Sequence, residues 1–101
     1  MDNNPGGELQ IYSVEATDAA TATCIVRCVG GVVRTGQQFK TRPTADTTGD
    51  PVLLSLNWIK RYEKAMDFLD PPHSGVIQLS GNGLNSLKRG VILVSVTMGE
   101  P

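Results

Sequence analysis

Histidine and cysteine are scarce in this 101-residue chain, with one His and two Cys, and no long apolar run is present. No stretch approaches the roughly 20 apolar residues that a membrane-spanning helix needs. The N-terminus, Met1-Asp2-Asn3-Asn4-Pro5-Gly6-Gly7, has neither a charged leader nor an apolar core segment, so no secretory signal is expected. A phosphate-cradling Gly-x-x-x-x-Gly-Lys-Ser/Thr loop is absent, which argues against binding of a nucleoside triphosphate. Gly81-Asn82-Gly83 is a lone Gly-x-Gly without the strand-to-helix setting of a dinucleotide site, and it reads as a turn. Charge of one sign is also lacking. The formal net charge is −1, so no global field draws the chain to nucleic acid or to an anionic membrane, and any such contact must come from a local patch.

With so few ligating and nucleophilic side chains, catalytic and metal chemistry have little to stand on. Cys24 and Cys28 fall in one β-branched, apolar stretch, Thr21 to Val29. Four residues along a strand span roughly 13 Å. A disulfide needs Cα atoms within about 7 Å. Two reduced, structural thiols in a reducing cytosol are therefore expected, and no second Cys or His cluster is there to complete a metal site. His73 adjoins Ser74, but neighbours in a Pro-rich turn do not form a base and nucleophile pair, so a solvated loop histidine is expected. Asp67 and Asp70 suit turn capping and solubility. No catalytic residue, cofactor or metal ligand is assigned, and the chain is not expected to be an enzyme.

What is present is a succession of short β-prone segments with Gly and Pro between them. Glu8 to Glu15 alternates, with Leu9, Ile11 and Ser13 on one face and Gln10, Tyr12 and Val14 on the other. In Thr21 to Val29 the face of Cys24, Val26 and Cys28 is the more apolar and is oriented inward, opposite Thr23, Ile25, Arg27 and Val29. Further strands are read at Gln37 to Lys40, Val52 to Ile59, Val76 to Leu79 and Val91 to Thr97, with Leu54, Leu56 and Trp58 on a common face and Trp58 in the core. Thr41 to Pro51 reads as a polar loop. Residues 60 to 69 place Tyr62, Ala65, Met66 and Leu69 at helical spacing among helix formers, so local propensity alone favours a short helix there. The spacing of the strands fits a sandwich or small barrel. The expected organisation is a flexible tail over 1 to 7 and a single domain over 8 to 98, the whole being a complete small cytoplasmic protein.

Two stretches together resemble the second domain of the translation GTPases, the elongation factor Tu-like "translation protein" β-barrel. One is Val29-Gly30-Gly31-Val32-Val33-Arg34-Thr35-Gly36-Gln37-Gln38-Phe39. The other begins at Ile59-Lys60-Arg61-Tyr62-Glu63-Lys64 and continues through Pro71-Pro72-His73-Ser74-Gly75-Val76 to Leu87-Lys88-Arg89-Gly90-Val91. The resemblance implies an all-β fold, a small closed antiparallel barrel of about six or seven strands. It makes residues 60 to 69 extended, against their local propensity. It also implies a non-catalytic binding module contacting RNA or the translation machinery, with Lys60, Arg61, Tyr62, Lys64, Lys88 and Arg89 as the contact residues. Val26 stands where the family commonly has Gly, so the family's ligand pocket is not carried over. The same basic residues, interleaved with Glu63 and Asp67, also read as scattered solubilising charge, and a stand-alone barrel that binds another protein, or an accessory subunit unrelated to translation, is the alternative.

Overall fold

The structure is a computed structural model and describes residues 7–42 and 53–96. Nine strands follow one another: β1 (Glu8–Thr17), β2 (Thr21–Gly30), β3 (Val33–Arg34), β4 (Gln38–Thr41), β5 (Leu53–Arg61), β6 (Lys64–Met66), β7 (Phe68–Leu69), β8 (Ser74–Gly81) and β9 (Ile92–Val96). The main sheet runs β4-β9-β1-β2-β8-β5-β6, and β4 also pairs with β5. Six antiparallel strands thus close into a barrel, with β6 as an added strand outside the ring. Closure satisfies the edges that an open sheet would leave unpaired. The fold is the all-β barrel expected. Residues 43–51 of the expected loop, Val52, the tail over 1–6 and residues 97–98 lie outside the described residues. Gly7 is buried, and its carbonyl accepts the Ser95 N–H at 3.0 Å. Among the described residues no helix is long and apolar enough to cross a membrane.

The barrel interior follows from alternation. β2 sends Ala22, Cys24, Val26 and Cys28 inward, β8 Ile77 and Leu79, β9 Leu93, and β4 the ring of Phe39. The short β3–β7 ribbon adds Val33 and Leu69 to the same core. Asp18 closes the β1–β2 hairpin by accepting the N–H groups of Ala20 and Thr21, each at 2.8 Å, and those bonds hold its carboxyl below the usual range.

Two interruptions of the alternation correct the sequence expectation. In β1, Ile11 pairs with Val26 and Ser13 with Ile25, leaving Tyr12 as an extra residue. The bulge shifts the inward phase by one, so Val14 rather than Ser13 packs against the core. In β5, Leu56 pairs with Leu79 and Trp58 with Gln78, leaving Asn57 unmatched. The inward set is therefore Leu54, Leu56 and Ile59. Trp58 is only half-buried and stands on the outer face, not in the core. A strict period of two cannot anticipate this, because a bulge depends on the partner strand.

Residues 60 to 69 form no helix. β5 continues to Arg61, turns at Tyr62 and Glu63, and returns as β6, with Arg61 opposite Lys64. Pairing with β8 on one side and β6 on the other outweighs the local preference.

Both thiols are buried, free and fully shielded. Burial pushes the Cys24 thiol up to about 11 from an ordinary 9.0, and raises Cys28 as well. Neither should react with iodoacetamide in the folded state near neutral pH, and both should react together on denaturation. Because the folded pKa of Cys24 lies above the unfolded one, its contribution to stability is complete below pH 9.0 and is lost as pH rises through about 11. The urea midpoint of Cys24→Ala should therefore fall less over that interval than that of the parent. Equal alkaline losses would contradict the burial of this group.

Candidate functional site

The outer face of β1-β2-β8-β5 is the place where the scattered sequence features converge. The register lines up Ile25 of β2 with Val76 of β8, and Val76 with Lys60 of β5. One step along, Thr23 meets Gln78 and Gln78 meets Trp58. Arg27 lies opposite Ser74. These are the outward positions of the strands whose inward positions make the core.

Two adjoining grooves mark this face. The first, of about 560 Å³, is lined by Gln10, Ile11, Tyr12, Ile25, Arg27, Ser74, Arg89 and Gly90. The second, of about 450 Å³, runs along Lys60, Arg61, Tyr62 and the segment Pro72 to Val76, and shares Ile25 and Ser74 with the first. Together they carry four guanidinium or ammonium groups, Arg27, Lys60, Arg61 and Arg89, and among the described residues no carboxylate lines them. In a chain with ten Asp and Glu and a net charge of −1, that is a local excess of positive charge.

Local structure explains how each cation is held. The turn before β9 is bonded to β1 twice, Gly90 N–H to the Ile11 carbonyl at 2.8 Å and Ile11 N–H to the Val91 carbonyl at 2.9 Å. This sets the Arg89 guanidinium 4.5 Å from the centre of the Tyr12 ring, which the β1 bulge presents at 57% exposure. The segment before β8 is tied to β2 by Cys28 N–H donating to the His73 carbonyl at 2.9 Å and by Arg27 Nε donating to the Pro72 carbonyl at 3.2 Å. The second bond uses Nε and so leaves the terminal nitrogens of the Arg27 fork for other acceptors.

At the other end, Lys60 Nζ lies 4.9 Å from the Trp58 ring centre and the Arg61 guanidinium 5.3 Å from that of Tyr62. Gly75 makes the Arg61 position possible, since a Cβ there would stand 2.9 Å from the Lys60 carbonyl oxygen and 3.3 Å from Arg61 Cγ. Arg61 Nε is buried and has no hydrogen-bond partner among the described residues. Such a donor costs about 1–3 kcal/mol until an acceptor reaches it. The β5–β6 turn has positive φ at both central residues, 52° at Tyr62 and 65° at Glu63. Two-residue hairpins need that geometry and usually meet it with Asn-Gly. Here a tyrosine 86% exposed is held in it, at a backbone cost of about 1–2 kcal/mol. Strain of this kind concentrates where a side chain must be displayed.

The six sequence-derived contact residues separate into two groups. Lys60, Arg61, Tyr62 and Arg89 line the grooves. Lys64 is exposed opposite Arg61 on β6, and Lys88 is exposed in the turn before β9, but neither lines a groove. Sequence reasoning missed Tyr12 and Arg27, which line the first groove; Trp58 lies under Lys60 and lines neither. The signal for Arg27 was available in its outward phase on β2. Its neighbours were not, because they depend on which strands pair. Of the remaining cations, Arg42 is taken by Glu8 at 2.6 Å, and Arg34 and Lys40 line neither groove.

His73 sits at the rim of the second groove with Nδ1 3.1 Å from Asp70 Oδ1. Among the described residues no three His, Cys, Asp or Glu side chains are gathered in a way that could hold a metal ion. The arrangement offers stacking surfaces and fixed cations; farther along β5 and β8, Asn57 Nδ2 donates to Gln78 Oε1 at 3.0 Å and Ser80 Oγ donates to Asn57 Oδ1 at 3.2 Å. Compared with protein-family models and with curated proteins, the sequence matches none.

Proposed function

We propose that the protein is a non-catalytic, cytoplasmic β-barrel module that binds single-stranded RNA on the outer face of β1-β2-β8-β5, in the manner of a translation-factor-like domain. One observation carries the reading. Three aromatic side chains, Tyr12, Trp58 and Tyr62, each have a cation over the ring, and Tyr12 and Tyr62 line grooves that hold four cations and, among the described residues, no carboxylate. Single-strand binders combine such stacking platforms with a positive track for the phosphates, and single-stranded RNA exposes unstacked bases for this purpose. The buried free thiols suit a reducing compartment. The resemblance to the second domain of the translation GTPases supports RNA as the nucleic acid.

The test is fluorescence anisotropy with labelled single-stranded RNA and with tRNA, from low to moderate salt. Four phosphate contacts on a single strand give a log–log salt slope of about −3. Binding of that slope is the expected result. A barrel that binds neither RNA at low salt, yet retains its native spectrum, would make a protein partner the better reading.

A further inference from the structure

We infer that the two grooves are one site, and that a single strand crosses β1, β2, β8 and β5 transversely, with one base on Tyr12 and another on Tyr62. This rests on the single-strand reading and adds the path, the length of the footprint and a second anchoring end that contains Tyr12, Arg27 and Arg89.

The adjacency of the grooves is the first ground. Ile25 and Ser74 line both, so the two meet at those residues. The second ground is the order of chemistry along the path. It begins at the Arg89–Tyr12 pair and passes the fixed Arg27 fork beside Ser74. It then crosses the apolar Ile25 and Val76, and ends at Lys60, Arg61 and Tyr62. Stacking surfaces at the ends and a phosphate donor near the middle match a strand laid across the sheet. The third ground is distance. Three interstrand steps separate β1 from β5, roughly 14 Å in all. One stacked base cannot touch both tyrosines across that gap. A strand of about four nucleotides can, which is the small end of the site sizes known for single-strand-binding OB-folds.

The buried Nε of Arg61 and the strained display of Tyr62 mark the far end as built rather than incidental. The doubled hydrogen bonds that lock the Arg89 turn beside the β1 bulge do the same for the near end.

A length series with Tyr12→Ala, Tyr62→Ala and the double variant tests this, with native far-ultraviolet spectra required of each. Both positions are exposed, so folding should survive. Affinity of the parent should rise steeply up to about four nucleotides and only gradually beyond. With an eight-nucleotide RNA each single substitution should weaken binding about 10-fold or more, and the double substitution by the product of the two. With a dinucleotide the double substitution should cost little more than the worse single one, because only one end is engaged at a time. If the eight-nucleotide RNA binds the parent and Tyr62→Ala weakens it while Tyr12→Ala does not, the transverse path is wrong and the single-strand reading stands. If the parent binds no RNA of any length at low salt, both fall. Parallel single-stranded DNA reports whether the 2′-hydroxyl is read.

Discussion

Phe39→Ala is expected to lower stability by about 3–5 kcal/mol, the range for deleting a fully buried aromatic side chain. Phe39 is wholly shielded and belongs to the shortest strand of the ring, β4. That strand is bonded to β5 on one side and to β9 on the other, with Phe39 opposite Leu54 and Ser95. A cavity at this point opens the core just where the barrel closes. A domain of this size has about 5–15 kcal/mol in total, so the loss should be a large fraction of the whole. Phe68→Ala is the matched control. Phe68 is 40% exposed on β7, and its removal should cost well under half as much. Urea midpoints at constant slope make the comparison. Equal losses for the two would mean that β4 does not close the ring around Phe39.

The second large effect concerns binding. Arg61→Glu with Arg89→Glu replaces two of the four groove cations, one at each end, by carboxylates. Each lost phosphate contact removes about 0.7 from the single-strand salt slope. The slope should therefore fall from about −3 to about −1.5, and affinity at low salt should drop about 100-fold as two attractions become repulsions. Arg34→Glu with Lys40→Glu makes the same change in net charge at exposed positions that line neither groove. That pair should retain most of the affinity. If the two double variants weakened binding equally, net charge rather than the grooves would be responsible, and the basic residues would be solubilising charge.

The contrast between these two predictions reflects what was legible in the residues. The inward phase of β2 was plain, because Cys24, Val26 and Cys28 form an unbroken apolar set on one face. The barrel class followed from short strands and frequent breaks. The extended form of residues 60 to 69 was not readable from propensity and came from resemblance, since the sheet neighbours that enforce it are remote in sequence. The outward aim of Trp58 was not legible at all. A bulge at Asn57 reverses its phase, and the bulge exists only in relation to β8. For the same reason Val14, read on the face opposite Leu9 and Ile11, packs inward past the bulge at Tyr12.

The site was half legible on similar grounds. Lys60, Arg61 and Tyr62 are contiguous and announce themselves as a cluster. Tyr12, Arg27 and Arg89 come from three separate segments and become neighbours only through the pairing of β1 with β2 and the anchoring of the Arg89 turn to Ile11. Lys88, next to Arg89, and Lys64, two residues past Tyr62, line neither groove. Nearness in sequence overstated their part.

The most direct measurement is an amide NMR titration of the 101-residue chain with an eight-nucleotide single-stranded RNA at low salt. Binding across the outer face predicts shifts at Tyr12, Ile25, Arg27, the segment 59 to 62, Ser74 to Val76 and Arg89 to Gly90, with little change at Arg34, Lys40 or the inward residues of β9. Shifts spread over β3, β4 and β7 instead, or none at all in a folded spectrum, would contradict it.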